Sequence, residues 1–406
     1  MKGILNGIKV VELASWTFVP AAGAVLADWG ADVVKIEDTR GGDPARGLVV
    51  GGLKRENASA DADYMMEIGN RGKRSVGLDL KSEKGRELFG RLIASADVFL
   101  TNWLPGPRSR AKVDVEDIRA MNPNIIYARG SGQGPRGAEK DRGGFDAASF
   151  SARGGVAYAL TPPGASIPFS QGPAFGDLPG GMTLAGGVAA ALFRRERTGE
   201  PSVVDVSLLA QAMWTMAPDI IAAELFDVDR IPVMPDGMSL NPVTAKYRTR
   251  DDRWIQLVFL QPDRFWRDFC VRIGRADLAT DERFVPSQNL IRNNAEATAL
   301  LQETFASQDL EHWKKALADE PGVWSVLASP QEVLSDPQAL ANDYLVPNKD
   351  AAGQDYHVVA APVQFDEQAP SPGRAPEWGE HTETVLIEAG VTWEEIAEAK
   401  EAGAIL

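Results

Sequence analysis

Five short runs of β-branched and apolar residues, separated by helical patterns, fill the first 130 residues and leave few folds open. IKVVELA leads into a helical stretch ending near Trp29; ADVVKIE follows, then SVGLDL before the amphipathic SEKGRELFGRLIASA, and finally DVFLTN and NIIYARG. Strands that are apolar along their whole length are buried on both faces, the condition of a parallel sheet held between helices. The expected fold is α/β, a Rossmann-like doubly wound parallel sheet in a large domain. Ligands of such sheets bind beyond the carboxyl ends of the strands, here near residues 14–16, 37–46, 102–106 and 130–137.

The turn after the first strand reads ASWTFVPAAG, without the G-x-G-x-x-G of a dinucleotide site, and the later GSGQGPRG is not followed by a helical pattern. A dehydrogenase is thereby disfavoured. No G-x-S-x-G elbow occurs, and three histidines, His312, His357 and His381, support neither a hydrolase triad nor a zinc helix, so no metal is expected. The single cysteine, Cys270, excludes an internal disulfide. No stretch is long and apolar enough to span a bilayer, and the start runs straight into a strand pattern, so a cytoplasmic location without a membrane partner is expected. The net charge of −15 repels nucleic acid. That acidic excess lies beyond residue 150, whereas the first third is slightly basic, with clusters RGKR at 71–74 and PRSRAK at 107–112 suited to a small polyanion.

TGEPSVVDVSLLAQAMW reads as a strand and a long apolar helix, after which the Pro- and Gly-rich IPVMPDGMSLNP marks a boundary. AKYRTRDDRWIQLVFL has the pattern of a β-hairpin. The expected organisation is a large domain over 1–225, a small α+β domain over 226–328, and a C-terminal segment, 329–406, returning to the large domain. Within the first, FGDLPGGMTLAGGVAAALFRRERTG at 175–199 sets one carboxylate, Asp177, at the mouth of a small-residue helix. An aspartate there can simply cap the helix. Gly176, Gly180 and Gly181, however, strip side chains from around it, and the helix end favours its ionised form, so we read Asp177 as a covalent nucleophile.

In order and spacing, GADVVKIE with GGDPAR, NRGKRSVGLDLK, TNWLPG, NPNIIYARGSGQGP, GGFDAASFSARGG, the Asp177 segment and GEHTETVLIEAGVTWEEIAEAKEAGAI resemble the class III CoA-transferases over nearly the whole chain. ELASWTFVP, FDAASFSARGG and SLLAQAMW are most similar to the subgroup acting on bile acids and aryl-propanoic acids. The resemblance implies an interlocked homodimer with active sites between subunits, and acyl-CoA and a free carboxylic acid as substrates. It implies that Asp177 attacks the thioester and passes through an aspartyl-CoA thioester, with N–H groups of the glycine turns at Gly176, Gly180 and Gly181 as oxyanion donors. Trp16 and Phe18 would flank the pantetheine, Asn102 and Trp103 would contact CoA, and Arg46, Arg71, Lys73 and Arg74 would meet its phosphates. Trp214, Met216, Trp254 and Phe259 are candidates for an acyl pocket.

Two departures qualify the match. Leu104 stands where many relatives carry an arginine, and the glycine-rich lid of formyl-CoA transferase has no counterpart beyond PDGMS at 235–239, which disfavours oxalate as acceptor. The rival readings are an α-methylacyl-CoA racemase and a non-catalytic CoA-binding scaffold. The racemase histidine motif reads Gly144-Phe145-Asp146 here, and phenylalanine cannot exchange a proton.

Overall fold

The computed structural model describes residues 3–48, 50, 63–232, 239–351 and 353–406; of the PDGMS stretch, residues 235–238 lie outside the described residues. The chain divides into two compact units, one of Met1–Thr161, Ser166–Arg230 and Pro337–Leu406, the other of Pro162–Ala165 and Ile231–Asp336. The long stretch of the smaller unit, Ile231–Asp336, is set slightly later than the 226–328 read from the sequence, and the unit also takes in Pro162–Ala165.

The larger unit runs β1 (Lys9–Leu13), α1 (Phe18–Asp28), β2 (Asp32–Glu37), α2 (Tyr64–Asn70), β3 (Arg74–Gly77), α3 (Glu83–Ala94), β4 (Val98–Thr101), α4 (Pro105–Ala111), α5 (Val115–Met121), β5 (Ile126–Ser131), α6 (Val156–Leu160), α7 (Asp177–Thr198), β6 (Val203–Ser207), α8 (Leu208–Thr215) and α9 (Ala217–Phe226). Its six strands form one sheet in the order β3-β2-β1-β4-β5-β6, all pairs parallel. The order reverses between β1 and β4, and the loops leaving those two strands part around a crevice.

Each strand feeds two cores because successive side chains leave opposite faces. Val11 and Leu13 enter a cluster with Leu88, Phe89, Phe99, Tyr127 and the C-terminal Leu386 and Ile396, whereas Val10 enters another with Phe18, Leu26, Leu184 and Val188. Burying each such side chain contributes about 1.5–3 kcal/mol, which is why the apolar runs were so readable. Helix α3 starts where the Ser82 hydroxyl accepts the Gly85 N–H, and α7 stops at Gly199, whose φ of 74° only glycine adopts freely. The expected long apolar helix after β6 is broken at Met216, because Pro218 in the first turn of α9 lacks the N–H needed to continue α8.

The smaller unit holds β7 (Lys246–Arg248), β8 (Trp254–Val258), α10 (Pro262–Arg272), α11 (Ser287–Arg292), α12 (Asn294–Ala306), α13 (Leu310–Ala316), β9 (Val323–Val326) and α14 (Pro330–Val333). Its three strands pair antiparallel in the order β7-β8-β9 over an aromatic core that includes Tyr247, Phe259, Phe269, Phe305 and Trp313. The chain then returns to the larger unit through α15 (Pro337–Ala341), an antiparallel ribbon of β10 (Leu345–Lys349) and β11 (Asp355–Val359), α16 (Thr382–Glu388) and α17 (Trp393–Glu401). No helix among the described residues is long and apolar enough to cross a membrane.

Candidate active site

A cavity of about 370 Å³ opens at the sheet's switch point, where the loops after β1, β4 and β5 meet the start of α7. Ser15 and Trp16 come from the first loop, Asn102, Trp103 and Leu104 from the second, Gly130, Ser131 and Gly132 from the third, and Phe145 and Asp177 from further along. Asn102 ties two of these loops together: its Oδ1 accepts the Ser15 N–H at 3.1 Å and its Nδ2 donates to the Ser15 carbonyl at 2.6 Å. Trp16 and Phe145 meet edge to face, ring centroids 5.6 Å apart. Phe18 is buried below them.

Asp177 is the one ionisable side chain in the lining. It is the first residue of α7, with Gly176 as the preceding cap, so capping does not explain it. Burial first, and the like charge of Asp146 second, push its carboxyl up from 3.8 to about 7. The helix end, which favours a carboxylate by about 0.3–1 kcal/mol, is therefore outweighed, although a group titrating at about 7 is still in part an anion at neutral pH. Asp146, at the head of a π-helical turn over Asp146–Ala152, is itself buried. Its Oδ1 accepts the Gly176 N–H at 3.0 Å, and its Oδ2 has no hydrogen-bond partner among the described residues.

The three glycines do something other than clear space around the carboxylate. A Cβ on Gly180 would lie 2.7 Å from the Phe18 ring, one on Gly181 2.7 Å from Ala21 Cβ, and one on Gly176 2.2 Å from the Phe150 ring. They let α7 close onto α1 and onto the Asp146 turn. Nor are their N–H groups all free for an oxyanion: that of Gly176 is taken by Asp146 and that of Gly180 by the Gly176 carbonyl.

The four cations expected at the CoA phosphates are engaged elsewhere. Lys73, fully buried, donates to both oxygens of Glu12 at 2.8 and 2.7 Å; Arg71 pairs with Asp28 at 2.7 Å; Arg74 pairs with Asp32 at 2.6 Å and Glu388 at 2.7 Å. Arg46 makes a two-pronged bond to Glu37 at 2.8 and 2.6 Å. None lines the cavity. The buried carboxylates of Glu12, Asp28 and Glu37 need their partners, since an unpaired charge in that interior is costly, whereas Asp32 and Glu388 meet Arg74 nearer the surface. Basic side chains do line a smaller depression that shares Asn102, Trp103 and Leu104 with the cavity: Arg108, paired with Asp114; Arg129, paired with Asp205; and the exposed Lys140. Of these, only Arg108 belonged to a cluster visible in the sequence, PRSRAK.

Trp214, Met216, Trp254 and Phe259 do not line the cavity; Phe259 is fully buried in the core of the smaller unit and Trp214 is exposed. The aromatic wall is made instead by Trp16, Phe18, Trp103 and Phe145. Among the described residues no group of three or more metal-binding side chains converges, and none of the histidines lies in the lining.

The chain belongs to CoA-transferase family III, whose family model matches residues 5–382. It is a class III CoA-transferase. It is 34% identical to cinnamoyl-CoA:phenyllactate CoA-transferase of Clostridium sporogenes, covering 97% of this chain and 95% of that one. It is 32% identical to (R)-2-hydroxy-4-methylpentanoate CoA-transferase of Clostridioides difficile, covering 98% of both. The crystal structure of a CaiB/BaiF family protein from Brucella suis superposes with a TM-score of 0.80 at 27% identity, covering 96% of this chain and all of that one.

Proposed function

We propose that the protein moves CoA from an acyl-CoA thioester to a free aryl carboxylic acid, with Asp177 as the covalent nucleophile. One observation carries this reading: a single ionisable group, whose side chain has no hydrogen-bond partner among the described residues, faces a cavity otherwise made of aromatic, aliphatic, small and amide side chains. Asp177 attacks the thioester carbonyl, the C–S bond breaks, and a mixed anhydride forms with CoA thiolate. The thiolate attacks the aspartyl carbonyl, releasing the donor acid and leaving an aspartyl-CoA thioester. The acceptor carboxylate then attacks that thioester, and CoA returns to the new anhydride, freeing Asp177. No proton is gained or lost over the cycle, so a wall without an imidazole suffices, whereas racemisation would need a proton carrier there.

The aromatic wall suits an aryl acid, and the phenyllactate enzyme is among the relatives. A cavity of about 370 Å³ that must also take the pantetheine arm fits a single ring better than a steroid. The CoA diphosphate is assigned to the edge carrying Arg108, Arg129 and Lys140. A homodimer is supported by apolar surface: α9 buries no residue, and Trp214, Leu225 and Phe226 are 80%, 71% and 72% exposed. After incubation with an acyl-CoA, mass spectrometry should find CoA on Asp177, replaced by a hydroxamate after hydroxylamine or by the alcohol after borohydride, with CoA released in both cases. Turnover by Asp177→Ala would reject the mechanism.

A further inference from the structure

The VVKIE strand and the GGDPAR turn supply charged groups that the transfer chemistry does not use. Lys35 is fully buried; its Nζ donates to the Ala14 carbonyl at 2.9 Å and to Glu12 Oε1 at 3.2 Å, and it pairs with Asp43 Oδ2 at 2.7 Å. The other oxygen of Asp43, also buried, accepts the N–H of Trp16 at 3.0 Å and that of Ala45 at 2.9 Å. The Asp43 N–H in turn goes to Glu37 Oε2 at 2.8 Å, on the carboxylate that Arg46 grips with two bonds.

What this chain holds is unusual. Trp16 has a φ of 68°, the left-handed region that a bulky side chain avoids, and it lines the cavity with its ring edge to face with Phe145. Lys35 grips the backbone two residues before Trp16, and through Asp43 it grips the backbone N–H of Trp16 itself. Relaxing either hold frees the tryptophan to return to an ordinary conformation and swing its ring off the cavity. Strain of this kind persists only where the surroundings over-determine it.

We infer that Lys35 and Asp43 are positioning residues of the transfer site: their buried ion pair fixes the strained backbone of Trp16 so that the Trp16–Phe145 pair lines the cavity in which Asp177 reacts. The inference rests on the transfer reading of that cavity. It also gives Arg46 a role, as the outer brace of the Asp43 turn through Glu37, in place of a phosphate contact.

The test is a double-mutant cycle in the full chain with Asp43→Asn and Trp16→Gly, glycine being free to adopt the positive φ and having no ring to place. The readouts are kcat and KM for transfer to an aryl-propanoic acid and the rate of CoA adduct formation on Asp177, each variant being first shown to be folded. Asp43→Asn alone should lower kcat/KM about tenfold or more, mainly in kcat, as expected when a reacting geometry loosens. In the Trp16→Gly background the same substitution should change it less than about twofold, since nothing remains to be positioned. Equal losses in both backgrounds, or an unchanged kcat/KM in folded Asp43→Asn, would overturn the inference. Should Asp43→Asn not fold, Arg46→Lys, at a more exposed position and with its charge kept, replaces it in the cycle with the same expectations. If the wild type itself forms no adduct, the transfer reading has failed; the cycle is then read on the dissociation constant of CoA, where loss of coupling to Trp16 still counts against positioning.

Discussion

Replacing Asp177 by asparagine should make the protein inactive and, above neutral pH, more stable. Its carboxyl titrates at about 7 in the folded chain against 3.8 as a free side chain, because burial and then Asp146 disfavour its charge. Between those two pH values the unfolded chain has released this proton and the folded chain still holds it, so folding weakens as pH rises through that window. Three pKa units correspond to about 4 kcal/mol at pH 8, and screening of a partly exposed group reduces this to about 2–4 kcal/mol. The asparagine variant has no charge to force into the site and escapes the penalty. Denaturant unfolding of wild type and Asp177→Asn, at one fixed protein concentration because an associating chain is stabilised by mass action, should show the variant ahead at pH 8. By pH 5 the gain should shrink to less than half. A variant no more stable at pH 8, or a gain that does not vary with pH, would refute the picture of a carboxylate held under electrostatic load.

Asp146→Asn removes the like charge beside Asp177 while keeping an acceptor for the Gly176 N–H, so the acid limb of kcat/KM should move down by about one pH unit; an unmoved limb would show that burial alone sets the titration. Lys73→Met strands Glu12 with only Lys35 and should cost about 3–5 kcal/mol in unfolding, with CoA affinity of the folded variant nearly unchanged. A large loss of CoA affinity there would restore Lys73 as a phosphate ligand. Cys270 is buried, and burial pushes its thiol up to about 12, so a thiol reagent at pH 8 should label it only in denaturant; rapid labelling of the native protein would contradict its place in the core of the smaller unit.

The strands of the parallel sheet were legible because burial on both faces writes apolar runs into the sequence, as in VFL of β4, whereas β2 interrupts its run with the buried, paired Lys35 and Glu37. The β10–β11 ribbon is harder to see in the sequence: β11 ends in the β-branched Val358 and Val359, but its partner Leu345–Lys349 carries Pro347 and no clear alternation. Asp177 stood out through its glycine context, yet the reason given for those glycines was incomplete, because the closeness of α1 and Phe18 is a tertiary fact. Asp146 passed as part of a failed histidine motif; what makes it matter is an N–H thirty positions away. The basic residues show the limit most plainly. A sequence displays the sign of Lys73 but not that Glu12, 61 residues earlier, lies under it.

The smaller unit is inserted between two stretches of the larger one, and this has a cost during synthesis. Strands β1 to β6 are complete once Ser207 has been made, but one face of their sheet is covered in part by Val385, Leu386, Ile396 and Ile405. At 5–20 residues per second the roughly 175 residues from β6 to α16 take about 10–35 s, during which that face is covered by α3 and α5 but lacks the share of its cover that α16 and α17 supply. Substitutions that weaken α16 or α17 should therefore lower the yield of folded protein before they touch catalysis.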